Sequence, residues 1–253
     1  MNPWPIVVPS GVVTAVGAAM WAAASPSSQW FGPTLRYTSS SKTLALTFDD
    51  GPNPAVTPRL LDLFDRYSVR ATFFFIGRFV RSCPDLVRET AARGHLLANH
   101  TETHPQLTFQ SRARIREELV RCQEAIATAT RGDPPQWMRP PGGRRSPMLH
   151  SEIRHAGLQG VVMWSLSSRD WKQQPSSQLI NRLSLVARGG RSRGDIVLFH
   201  DGKSSTLGGD RLNTVTALEH WLPRWRDAGL EFATIDSLAP AATRSGLRLK
   251  RLQ

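Results

Sequence analysis

Two adjacent carboxylates, Asp49 and Asp50, close the apolar run Leu44-Ala45-Leu46-Thr47-Phe48 and are followed at once by Gly51-Pro52. Like charges this close repel, so the pair calls for a compensating cation or a shared proton. Alone, the stretch also fits a solvated Asp-Gly turn. Further along, His100 and His104 stand four apart in Asn99-His100-Thr101-Glu102-Thr103-His104-Pro105. On a helical turn that spacing places both imidazoles on one side, able to hold a single cation. Two His and one Asp make a three-ligand set with open positions, the arrangement of a catalytic rather than a structural zinc. Mixed nitrogen and oxygen ligation also accepts Co2+ or Ni2+, so Zn2+ is expected on availability.

Something rigid must carry these groups. After Tyr37 the chain alternates short apolar runs with longer amphipathic ones. The runs predict strands at Leu44–Phe48, Ala71–Ile76, His95–Ala98, Gln136–Met138, Gly160–Trp164, Asp195–Phe199 and Glu231–Ile235. Between them, Val56, Leu60, Leu63 and Phe64 share a helical face, as do Ile115, Leu119, Cys122 and Ile126, and Leu212, Val215, Leu218, Leu222 and Trp225. Ser146-Pro147 reads as a helix N-cap with proline at the first helical position. This alternation predicts an α/β fold with about seven parallel strands and outer helices, open or closed into a barrel. The chemical residues recur just after predicted strands: Asp49 and Asp50, then His100 and His104, Arg139, Asp170 and His200. Barrel enzymes collect their active-site groups there, on loops at the carboxyl ends of strands.

Five stretches in this order make a resemblance specific. They are Thr47-Phe48-Asp49-Asp50-Gly51-Pro52, Asn99-His100-Thr101-x-x-His104-Pro105, Arg139-Pro140-Pro141-Gly142-Gly143, Asp170-Trp171 and Leu198-Phe199-His200-Asp201. Together they resemble the five motifs of the NodB-type polysaccharide deacetylases, carbohydrate esterase family four, over Lys42 to Asp236. The resemblance implies a distorted (β/α) barrel that removes N- or O-acetyl groups from polysaccharides with a divalent metal. Carried over residue by residue, Asp50, His100 and His104 would hold the metal. Asp49 would be the general base, and Arg139 would orient it through charge-assisted hydrogen bonds. The Gly142 amide would help hold the oxyanion. His200 would protonate the leaving amine, supported by Asp170. Trp171 and Leu198 would wall the acetyl methyl group. Two departures stand out: Gly142-Gly143 occupies a place where the family usually has an aromatic residue, and Ser167 replaces a frequent Asp.

Length suits one large domain, and the net charge of +12 is carried mainly by scattered arginine. With no nucleic-acid motif, an anionic wall polymer or bilayer is the expected electrostatic partner, and the expected substrate is an acetylated glycan. Residues 1–33 form a hydrophobic segment and linker: Ile6 to Ala24 carries no charge, and Ala22-Ala23-Ala24 offers small residues for a cleavage site. An export signal or an N-terminal membrane anchor both fit, and either places residues 34–240, the catalytic domain, in the envelope or outside the cell. A basic tail, 241–253, follows. Cys83 and Cys122 are the only cysteines and could pair in an exported domain. Competing readings are phosphoryl transfer, disfavoured because aspartyl-phosphate enzymes want Asp-x-Asp, and an inactive carbohydrate-binding protein.

Overall fold

The computed structural model describes residues 10–172, 174–186 and 194–238, and its described strands all run parallel. They are β1 Thr34–Leu35, β2 Thr43–Asp49, β3 Thr72–Phe75, β4 Leu96–Asn99, β5 Trp137–Met138, β6 Gly160–Val162, β7 Leu166–Ser167, β8 Ile196–His200 and β9 Glu231–Phe232. Their order is β1-β6-β5-β4-β3-β2-β8-β7, with β9 pairing β2. The helices are α1 Ser10–Ala24, α2 Thr57–Tyr67, α3 Gly77–Ser82, α4 Pro84–Ala92, α5 Arg112–Thr130, α6 Pro147–His155, α7 Ser176–Leu183 and α8 Leu212–Asp227. This is the distorted barrel expected, with each of the seven predicted strands present, the first lengthened, the third and sixth shifted by one residue and the others shortened, and with β1 and β7 in addition. Neither added strand has an apolar run to announce it, being two residues long.

Alternation along β2 explains how the barrel presents an acid. Leu44, Leu46 and Phe48 point outward into the main core, where Phe48 stacks on Phe73 and Phe199 with centroids 5.1 and 5.3 Å apart. Ala45 faces the other way, packing with Phe74, Ala98 and Ile196. By the same period of two, Asp49 falls on the inner side at the strand's carboxyl end. Register does the rest: Asp49 lies opposite His200 of β8 and Phe74 of β3. A slip of one residue would turn the acid into the outer core.

Proline opens α6 at its first position after Ser146, as expected, but the Ser146 hydroxyl is buried without a partner and makes no capping bond. Cys83 and Cys122 are free thiols. No helix among the described residues is long and apolar enough to cross a membrane. The basic tail 241–253 and residues 1–9 lie outside the described residues.

One buried group makes the fold acid-sensitive. His95, 5% exposed, accepts the Ala71 amide on Nδ1 at 3.1 Å while its Nε2 has no partner. Burial, with Arg70 and Arg93 nearby and only Asp65 opposing, pulls its pKa down to about 4. The folded pKa is below the unfolded one, so the unfolded chain takes up the proton first. Stability from a neutral His95 is therefore full above about pH 6.5 and is lost as pH falls towards 4. Urea unfolding at pH 7 and pH 5 should show that loss, and His95→Gln should reduce it.

Candidate active site

Asp50 turns out of β2 with φ 74°, a left-handed conformation that a non-glycine residue adopts at a cost. Of six such residues described, Asp50, Thr101, His104 and Arg169 lie in loops around the site, where strain of this kind tends to collect. His100 and His104 were expected on a helical turn, and the structure differs: the loop after β4 is irregular, with φ 69° at Thr101 and 62° at His104. Side chains hold it instead. Asn99 Oδ1 accepts the Thr101 amide at 2.8 Å, and Thr101 Oγ1 accepts the His104 amide at 3.1 Å. From α5, Glu118 accepts both the amide and the hydroxyl of Thr103 at 2.7 Å. The outcome resembles the helical one, with the imidazole centroids 5.0 Å apart.

The donors converge. Asp50 Oδ1 lies 3.5 Å from His100 Nε2 and 3.3 Å from His104 Nε2, and one ligand atom from each of the three residues falls within 4.8 Å of the others. His100 Nδ1 donates to the Arg139 carbonyl at 2.8 Å, so its Nε2 is the nitrogen with a free lone pair. Burial opposes ionisation of Asp50, yet the hydrogen bond and charge of His100, with His200 and His104, hold its pKa well below the usual carboxylate range. Burial and the neighbouring His100 pull His104 down to about 4, leaving it a neutral donor. Burial disfavours the His100 imidazolium, but the charges of Asp49 and Asp50 outweigh it and raise its pKa, so a bound cation would take the place of its Nε2 proton. One carboxylate and two imidazole nitrogens fit a small divalent cation.

Asp49 sits beside this triad, its Oδ2 3.8 Å from His100 Nε2. Its Oδ1 accepts from Arg139 Nη1 at 2.7 Å. Arg139 is fully buried, lies over the Phe74 ring at 4.3 Å, and donates to the carbonyls of Val162 and Met163, each at 3.2 Å. Burial lowers its pKa and the Asp49 charge counters that. Across the cleft, His200 Nδ1 donates to Asp170 Oδ1 at 2.7 Å, leaving Nε2 free. Burial disfavours the imidazolium, but the Asp170 carboxylate outweighs it and pushes His200 up to about 9. Asp170 is held in turn by the His200 amide at 2.8 Å and by Thr214 Oγ1 of α8 at 2.9 Å.

A cleft of about 350 Å³ joins these parts, and eight of the ten sequence candidates line it. Arg139 and Asp170 stand behind, touching Asp49 and His200. Trp171 is half exposed at the rim and Leu198 is buried. Gly143 and Arg144 give their amides to the carbonyls of Pro140 and Pro141, bonds in which the Gly142 amide takes no part. The sequence reading missed Trp164, which ends a predicted strand, and Arg169, both of which line the cleft. It missed Thr214 too, for which no local signal exists.

Gly51 is required by close approach: a Cβ there would lie 2.2 Å from the buried Asp201 carboxylate. Gly51→Ala should push the acid pair off register. The expected result is a lower unfolding midpoint together with weaker metal binding in a chelator competition.

The family model for polysaccharide deacetylase matches residues 36–161. The chain is 36% identical over 206 residues to the chitooligosaccharide deacetylase of Bradyrhizobium sp. (strain ANU 289), covering 79% of this chain and 92% of that protein. The chain belongs to the polysaccharide deacetylase family. This deacetylase is also 35% identical over 206 residues to the peptidoglycan-N-acetylglucosamine deacetylase PgdA of Listeria monocytogenes, over 81% of its own length and 41% of PgdA. Its fold matches that of the family 4 carbohydrate esterase from Streptomyces lividans, solved in complex with acetate. That match has a TM-score of 0.67 at 32% identity, covering 77% of the deacetylase and 93% of the esterase.

Proposed function

We propose that this deacetylase hydrolyses the N-acetyl group of N-acetylglucosamine units in an envelope glycan of the peptidoglycan or chitin type. The observation that carries the proposal is one cleft holding three convergent ligand atoms between an Asp49–Arg139 pair and a His200–Asp170 pair. A divalent cation held by Asp50, His100 and His104, zinc on grounds of availability, would polarise the acetyl carbonyl and lower the pKa of water. Asp49 takes the proton of the water that adds to the carbonyl carbon, and Arg139 aims its carboxylate. The Gly142 amide faces the charge that develops on the carbonyl oxygen. As the carbon–nitrogen bond breaks, His200 Nε2 delivers a proton to the departing amine, and Asp170 fixes the tautomer that makes this possible. The products are acetate and a free amino sugar. Leu198 and Trp171 wall the methyl group.

Of the two glycan types, peptidoglycan carries carboxylates, which agrees with the net charge of +12 and with exposed Arg144 and Arg169 beside the cleft. Export follows from such a substrate, by way of the apolar N-terminal segment. The test is acetate release from chitooligosaccharides, peptidoglycan fragments and acetylated xylan, with and without a chelator. Chelator-sensitive release from the first two supports the proposal. Release from xylan alone makes the enzyme an O-acetyl esterase, and none from any makes it a binding protein.

A further inference from the structure

Immediately after the Gly142–Gly143 turn, Arg145 is buried among backbone carbonyls of a segment more than a hundred residues away, with 2% of its surface exposed. Its Nη1 donates to the Ser28 carbonyl at 2.7 Å, and its Nη2 to those of Ser25 and, at 3.4 Å, Ala22. Its own amide donates to the Ala23 carbonyl at 2.9 Å. No carboxylate pairs with it among the described residues; carbonyl dipoles alone balance the charge. The Ala22 and Ala23 carbonyls belong to the last turn of α1, which carries no basic residue of its own, and those of Ser25 and Ser28 to the chain just beyond it. A cation at that end is favourable, and Arg145 supplies it from a distant loop.

The same segment is fastened twice more. Gly32, with φ 111°, packs so closely on α6 that a Cβ would lie 2.5 Å from the His150 ring. Beyond it, the Leu35 carbonyl accepts the Met163 amide at 2.7 Å, and Arg36 Nε donates to the Trp164 carbonyl at 3.1 Å. Trp164 in turn lies under Gly143, where a Cβ would meet its ring at 2.5 Å. Two paths thus run from the N-terminal segment to one wall of the cleft. That wall needs them. Two successive glycines at φ 59° and 67° have little stiffness of their own, and nothing lies within 4 Å of a Cβ built on Gly142.

We infer that residues 22–28 are a working part of the catalytic domain, and that Arg145 is a positioning residue which sets the Gly142–Gly143 turn by binding them. The inference rests on the deacetylase reading above for the role of Gly142. A cut after Ala24 would part Ala22 and Ala23, two of the four acceptors, from the rest of the chain.

The full-length, metal-loaded chain tests it through Arg145→Gln, Arg145→Lys and Gly32→Val, the last disturbing the docked segment without touching Arg145. Three quantities are read: kcat and KM per folded molecule, metal affinity by chelator competition, and amide exchange over residues 142–146. For Arg145→Gln, kcat should fall about tenfold to a hundredfold, as a misplacement on the ångström scale does, with metal affinity and KM unchanged. Gly32→Val should behave alike, the double variant should be no worse than the poorer single, and lysine, a charge without the fork, should fall between. Unchanged kcat per folded molecule with only a lower unfolding midpoint overturns the inference. If the wild type releases no acetate at all, the deacetylase reading fails and exchange decides: faster exchange at 142–146 in both variants upholds the clamp, unchanged exchange removes it.

Discussion

Asp49→Asn is expected to lower kcat by about two to four orders of magnitude, the usual contribution of a positioned general base. Bound metal should stay at the wild-type level, because Asp50, His100 and His104 are untouched. A second effect follows from Arg139. It is fully buried, and Asp49 is the carboxylate that compensates it. Removing one partner of a buried pair leaves an uncompensated charge, at a cost of about 3–5 kcal/mol. The neutral amide still offers an oxygen, which places Asn at the low end and Ala at the high end. Asp49→Asn combined with Arg139→Met should regain stability and not turnover. Acetate release, metal stoichiometry and urea unfolding on the same preparations separate these effects. Full turnover in Asp49→Asn would exclude Asp49 as the base.

Asp170→Asn should move the alkaline limb of activity. As the proposed acid, His200 could donate a proton only while it is an imidazolium, and the Asp170 carboxylate is what raises its pKa to about 9 against the effect of burial. With that charge gone, burial works unopposed by its nearest partner and the limb falls from about pH 9 towards or below the ordinary value near 6.5. At pH 8 the variant should have lost about two orders of magnitude or more in kcat, partly recovered at pH 6. The linked stability has a definite sign. A folded pKa above the unfolded one gives stability that is full below about pH 6.5 and lost as pH rises through about 9. In Asp170→Asn, urea midpoints between those values should change less with pH than in the wild type. A pH–kcat profile of unchanged shape would mean that another group supplies the proton.

How much of this was legible depended on distance along the chain. The acid pair could be read because an apolar run and a Gly-Pro turn flank it, and β2 proved long enough to hold Asp49 in register with His200, with Asp50 turning out just beyond its end. The histidine pair was legible as a pair and not as a conformation. Spacing of four argues for a helical turn, whereas Asn99, Thr101 and Glu118 bond the loop into a different one. Asp170 behind His200 could be named, but Thr214 could not, since α8 brings it there from 44 residues away. Trp164 looked like any strand residue until Gly143 was seen to need its ring below. Arg145 was invisible for the same reason: a loop arginine shows nothing of the carbonyls it will meet. Sequence carried the groups that do chemistry and left unstated the contacts that hold them still.

The most direct measurement of the central claim is acetate released from N-acetylated glycan fragments against the number of divalent ions bound per chain. Wild-type protein should release acetate in proportion to occupancy up to one ion per chain and none once stripped. His100→Ala and His104→Ala should neither bind the ion nor turn over. Acetate release by the stripped protein, or by a variant that binds no ion, would contradict the account.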